Sequence, residues 1–106
     1  MIRSFLVLEP RNGDYDTLVA FFIANDVLGK AIQFAGAHTC EVQVPVSRTG
    51  PIVVTATWDS EAAYAGWRSH PIRDEMAPGM AQIVADTADP LTIASGLYEI
   101  AVSASR

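Results

Sequence analysis

The sequence is poor in the residues that most small proteins use as staples or charged handles. It has one cysteine, Cys40, so no internal disulfide is available, and a reducing compartment such as the cytoplasm is the expected location. It has only seven lysines and arginines against twelve acidic residues, a net charge of −5. That balance speaks against nucleic acid, whose phosphates reward a basic face, and against an anionic membrane surface. No uninterrupted apolar run reaches the roughly 20 residues that cross a bilayer. Met1-Ile2-Arg3-Ser4-Phe5 leads straight into alternating strand residues, with no apolar signal segment followed by a small-residue cleavage site. A Gly-x-Gly-x-x-Gly fingerprint and a phosphate-binding P-loop are both missing, so no nucleotide cofactor has motif support. With two histidines and one cysteine, a metal centre is poorly provided for: His38 and Cys40 fall on one side of a strand, and zinc wants three or four protein ligands. A buried, structural role suits Cys40 better than a nucleophilic one.

What is present suits one domain over residues 1–106, with half of the residues hydrophobic. Ile2 to Glu9 reads as a strand stopped by Pro10, and Asn12-Gly13 as a turn. Asp14 or Asp16 is placed to cap a helix, in which Leu18, Phe21, Ala24, Leu28, Ala31, Ile32 and Ala35 share one face. Val19, Phe22 and Ile23 widen that apolar surface and suggest a second contact, with a partner or a ligand. Gly29 is a candidate break and Gly36 a candidate stop. His38 to Val46 and Pro51 to Trp58 alternate as two strands of a hairpin around Ser47-Arg48-Thr49-Gly50. Neither face of the second strand carries a charge, which predicts cover on both sides of the sheet. Asp59-Ser60-Glu61 opens another helix, Pro71 should break it at His70 and restart it, and Pro78-Gly79 should interrupt the second piece. Leu91 to Val102, entered through Asp89-Pro90, is the last strand. The order strand, helix, strand, strand, helix, strand predicts an α+β, ferredoxin-like βαββαβ domain with a four-stranded antiparallel sheet.

The third strand's terminal Trp58, the Asp59-Ser60 cap and the aromatic-rich helix running to His70-Pro71 carry a further signal. With the order of elements, this stretch resembles the antibiotic biosynthesis monooxygenase family of the dimeric α/β-barrel superfamily, over almost the whole chain. The resemblance implies a homodimer whose two sheets face each other, which would account for a strand with two uncharged faces. It also implies oxidation of a phenolic or polycyclic aromatic compound by dioxygen with no cofactor, the substrate supplying the electrons. Haem-degrading relatives use an Asn on the first strand and a His ten residues after the position of Trp67. Here Ile2 to Glu9 has no Asn and Ala77 takes the place of that His, so the likeness does not extend to haem.

On this reading the candidate catalytic residues are His70 as base, Arg73 as stabiliser of an oxyanion, and Tyr64, which with Trp67 would line the pocket and orient an aromatic ligand by stacking; Trp67, Trp58 and Phe22 are the candidate substrate-binding residues. Each has an ordinary alternative. His70 would cap a helix break, Trp67, Tyr64 and Trp58 would be core, and Arg73 would pair with a surface carboxylate. Two other functions use the same scaffold: a non-catalytic dimeric module for a small apolar ligand or partner, and a lyase or isomerase.

Overall fold

The structure, a computed structural model, describes residues 1–85 and 95–106. Strands β1 (Ile2–Leu8), β2 (Thr39–Gln43), β3 (Ile52–Trp58) and β4 (Ser95–Glu99) form one antiparallel sheet in the order β2-β3-β1-β4. Between β1 and β2 lie α1 (Tyr15–Ala24) and α2 (Val27–Ala35); between β3 and β4 lie α3 (Glu61–Arg68) and α4 (Pro71–Ile83). This is the ferredoxin-like arrangement, with each crossover built from two helical pieces. Of the last predicted strand, Asp89-Pro90 and residues 91–94 lie outside the described residues, and β4 ends at Glu99 rather than Val102.

Local chemistry sets the helix ends. Asp14 caps α1: the Thr17 hydroxyl and backbone N–H both donate to its carboxylate, holding that group below the usual carboxylate range. The first crossover breaks at Asn25-Asp26, not at Gly29. Asn25 turns its side-chain amide back onto the Phe21 carbonyl, and Asp26 takes the left-handed conformation (φ 47°). Gly29 stays inside α2, where the missing Cβ leaves room for the Asp26 carboxylate. The break resets the helical phase, so Phe22 is buried while Ala24 and Ile32 are exposed. Gly36, at φ 78°, ends α2 as expected. The combined stretch Tyr15–Ala35 reaches the length and mean hydropathy of a membrane span, although Asp16, Asn25, Asp26 and Lys30 interrupt its apolar run. In the fold it is split in two and lays Leu18, Phe22 and Ala31 against the sheet.

The hairpin is also shorter than its apolar pattern. Pro45 has no N–H for a ladder, so β2 stops at Gln43 and Val46 is left in the loop, fully exposed. The Tyr15 hydroxyl ties this loop to α1 through the Gly50 carbonyl at 2.6 Å.

Paired residues share a face, so the register separates the two sides of the sheet. One side, which includes Ser4, Leu8, Ile52, Ala56 and Trp58, lies under the helices in two clusters. One gathers Leu8, Leu18, Phe22, Ile52 and Met80, the other Ala31, Ala56, Trp58 and Trp67. The other side carries Arg3, Phe5, Val7, Thr55, Thr57 and Tyr98. There Phe5 and Tyr98 meet edge to face at 5.4 Å, and Tyr98 is 64% exposed. Thr55 and Thr57 are buried on this side within one chain. The Thr39 and Thr57 hydroxyls pair at 2.7 Å, and the Gln43 amide donates to Thr55. Their burial therefore does not by itself require a second sheet.

Pro78-Gly79 does not interrupt α4, which runs through to Ile83. Pro78 is exposed, and Gly79 lies against α1: a Cβ there would meet the Phe21 ring at 2.9 Å. In α3 a Cβ at Gly66 would meet nothing within 4 Å. Gly66→Ala should therefore raise stability by up to about 1 kcal/mol from helix propensity. Gly79→Ala should lower it by about 1 kcal/mol, because overpacking outweighs the same gain. Thermal unfolding of the two variants checks the pair, and equal stabilisation by both would refute the close α1–α4 contact.

Candidate functional site

The two clusters under the sheet do not fuse completely. At their seam lies a chamber of about 70 Å³, floored by β1, β3 and β2 and roofed by all four helices. Small side chains on facing elements, Ala31, Ala56 and Ala77, leave the volume. Phe22, Trp58, Tyr64 and Trp67 supply aromatic walls, and Met76 and Met80 flexible ones. A cavity of about 150 Å³ holds benzene in another protein, so this chamber takes a ring only after side chains such as the methionines shift.

Five of the six residues singled out from sequence line this chamber: Phe22, Trp58, Tyr64, Trp67 and Arg73. Trp58 is 1% exposed and meets Tyr64 edge to face at 5.6 Å. Its indole N–H donates to the Ser4 hydroxyl oxygen across the sheet at 3.0 Å. The Arg73 guanidinium lies over the Trp67 ring, 5.9 Å from its centroid, and the Arg68 guanidinium lies 6.0 Å from that of Tyr64.

His70 is placed differently. It is the N-cap of α4, extended at φ −68°, ψ 134° as a residue before proline prefers, and its Nδ1 accepts from the Ile72 N–H at 3.2 Å. Its ring stacks on Phe34 at 5.7 Å and leans on Trp67 at 6.2 Å, and it is not among the lining residues. The helix break at His70 is thus as expected, and the side chain holds the α3–α4 joint from which Trp67 and Arg73 reach the chamber.

Cys40 and His38, just before β2, do not converge. Cys40 lines the chamber, and burial pushes its thiol up, away from the reactive thiolate. His38 turns to the surface, where Nε2 lies 2.7 Å from the Asp59 carboxylate. Among the described residues no three His, Cys, Asp or Glu side chains converge on one point. Sequence reasoning missed Ser4, Met76 and Met80. Ser4 carried a readable signal, being the one hydroxyl in the core-facing series Ile2, Ser4, Leu6, Leu8; the methionines were indistinguishable from ordinary core.

No family model matches this sequence, and no curated protein does. Solved structures do match. The chain superposes on Rv0793 from Mycobacterium tuberculosis with a TM-score of 0.74 at 14% identity, covering 98% of each chain. A candidate antibiotic biosynthesis monooxygenase from Chloroflexus aurantiacus gives 0.66 at 15% identity, again over 98% of each chain. A candidate of the same name from Bacteroides thetaiotaomicron gives 0.59 at 15% identity, over 93% of this chain and 85% of the other. At this identity the likeness is one of fold. The chain carries the antibiotic biosynthesis monooxygenase fold that the stretch from Trp58 to Pro71 resembled.

If His70 matters as a cap, substitutions should sort by capping ability. His70→Ala should destabilise the protein by about 1 kcal/mol, and His70→Asn or His70→Ser should recover most of it. Denaturant unfolding measures this, and equal loss in all three variants would show that the imidazole is needed for something else.

Proposed function

We propose that this chain is a small oxygenase that oxidises a hydroxylated aromatic compound with dioxygen in the chamber between sheet and helices. The observation that carries the reading is the chamber's lining: aromatic and apolar walls, with the Arg73 guanidinium and the Tyr64 ring brought to the same space. Trp58, Trp67 and Phe22 hold the ring and exclude water. Arg73 draws in negative charge, first on a phenolate and then on reduced oxygen, and the Tyr64 hydroxyl donates to the developing oxyanion. His70 acts through position, by fixing the helix joint.

The chemistry balances without a further reductant. A phenolate passes an electron to dioxygen, and the radical pair combines at a ring carbon. The O–O bond then breaks. One oxygen stays as the new carbonyl and the other leaves as water, taking up the phenolic proton and the displaced ring proton. One phenol and one dioxygen give one quinone and one water, all four electrons coming from the ring. The enzyme works in the cytoplasm as a pair of chains whose open sheet faces, which carry Phe5 and the exposed Tyr98, cover one another.

The size of the chamber favours a second reading, a non-catalytic module for a small apolar ligand, because about 70 Å³ demands rearrangement before even one ring enters. Oxygen uptake with phenol, 1-naphthol and anthrone separates the two. The oxygenase reading expects one dioxygen consumed per quinone formed, with the rate lowered by roughly 10²-fold in Arg73→Met, as for loss of an oxyanion donor. Binding without uptake across the panel would leave the ligand-binding module.

A further inference from the structure

Ser4 sits on β1, an inner strand, in register with Ala56 on one side and Leu97 on the other. Its side chain is buried and lines the chamber. Among the described residues its hydroxyl makes one hydrogen bond, with the Trp58 indole nitrogen at 3.0 Å. An indole N–H only donates, so the Ser4 oxygen accepts, and the serine proton is left to donate elsewhere. Trp58 is fully buried and packed against Tyr64, so the hydroxyl oxygen is held in one place by a rigid partner. A buried donor without an acceptor costs free energy that an incoming oxygen atom recovers. The other polar group lining this part of the floor, the Cys40 thiol on β2, lies beyond Ala56 of β3, is kept neutral by burial and is a weak donor at best.

The geometry points to Ser4 as the polar anchor of the chamber, donating its hydroxyl proton to the oxygen of a phenol while Trp58 fixes the serine's orientation. This rests on the reading of the chamber as a site for a hydroxylated aromatic and specifies how that ligand is told from a hydrocarbon of the same shape. A site built to hydrogen-bond an oxygen rejects the analogue that lacks it more strongly than an apolar wall can reject a methyl group. Ser4 is thus a specificity residue, distinct from the cation at Arg73, which senses charge.

Phenol and toluene are matched in size and differ in the group Ser4 would recognise. Their affinities, measured by NMR titration at a pH where phenol is neutral, are compared in the wild-type protein, in Ser4→Ala and in the double variant Ser4→Ala/Trp58→Phe. The single change buries an unpartnered indole N–H and is the more prone to misfold; the double change removes both partners and carries the test in that event. The ratio of phenol to toluene affinity should fall about tenfold in the double variant, the loss of roughly one hydrogen bond, and less in Ser4→Ala, where the freed Trp58 N–H can donate to the phenol oxygen in its place. Wild-type binding of both probes with a ratio unmoved in the double variant would overturn the role of Ser4 and leave the chamber as a ligand site. Failure of the wild-type protein to bind either probe would overturn both.

Discussion

The buried indole of Trp58 is the contact on which the rest of the molecule depends. It ends β3, lies under α3, and reaches across to β1 to donate to Ser4, 54 residues away in sequence. Burying a side chain of this size contributes about 4–6 kcal/mol from apolar area alone, as an upper bound. The same burial would be costly if the N–H had no acceptor. Ser4 supplies one from within the core-facing row of β1, so packing and polar satisfaction are met by a single pair. Because that pair links the two inner strands, it also fixes the floor of the chamber.

The chamber follows from how the two crossovers are divided. Each consists of two helices meeting at a bend, one at Asn25-Asp26 and one at Ser69-His70. Four short helices meet over the sheet where two long ones would close it, and the alanines at 31, 56 and 77 keep the seam open. His70 stabilises the second bend by accepting from Ile72 while its ring is held between Phe34 and Trp67. The side chains that project from either side of this bend, Trp67 and Arg73, lie close together, the guanidinium 5.9 Å from the ring centroid. Their positions are therefore set by backbone geometry at the joint as much as by contacts with the sheet.

Much of this was legible in the sequence because period and caps are local properties. The strand alternation, the Ser60 cap, the Pro71 restart and the Gly36 stop each depend on a few adjacent residues, and the structure has them as read. The misreadings arose where a side-chain contact overrode a local preference. Gly29 and Gly79 looked like breaks, yet one makes room for Asp26 and the other for Phe21. Among the site residues, the aromatic walls and Arg73 could be picked out because large or charged side chains on one helical face are conspicuous. Ser4 was overlooked although it is the one hydroxyl in the core-facing row of β1, because its role emerges only with its partner Trp58 across the sheet. His70 was conspicuous as a titratable group, but its Nδ1 is committed to a backbone N–H two residues away.

The central claim, that Trp58 and Ser4 lock the floor of the chamber, is tested most directly by hydrogen exchange at the Trp58 indole. The chain has two tryptophans, so the Nε1–H signals are few and assignable by substitution. The account predicts that the Trp58 indole proton exchanges only through large-scale opening of the sheet–helix layer, at rates matching the slowest amides of β1 and β3. Exchange close to the rate of a free indole in the folded protein would contradict it.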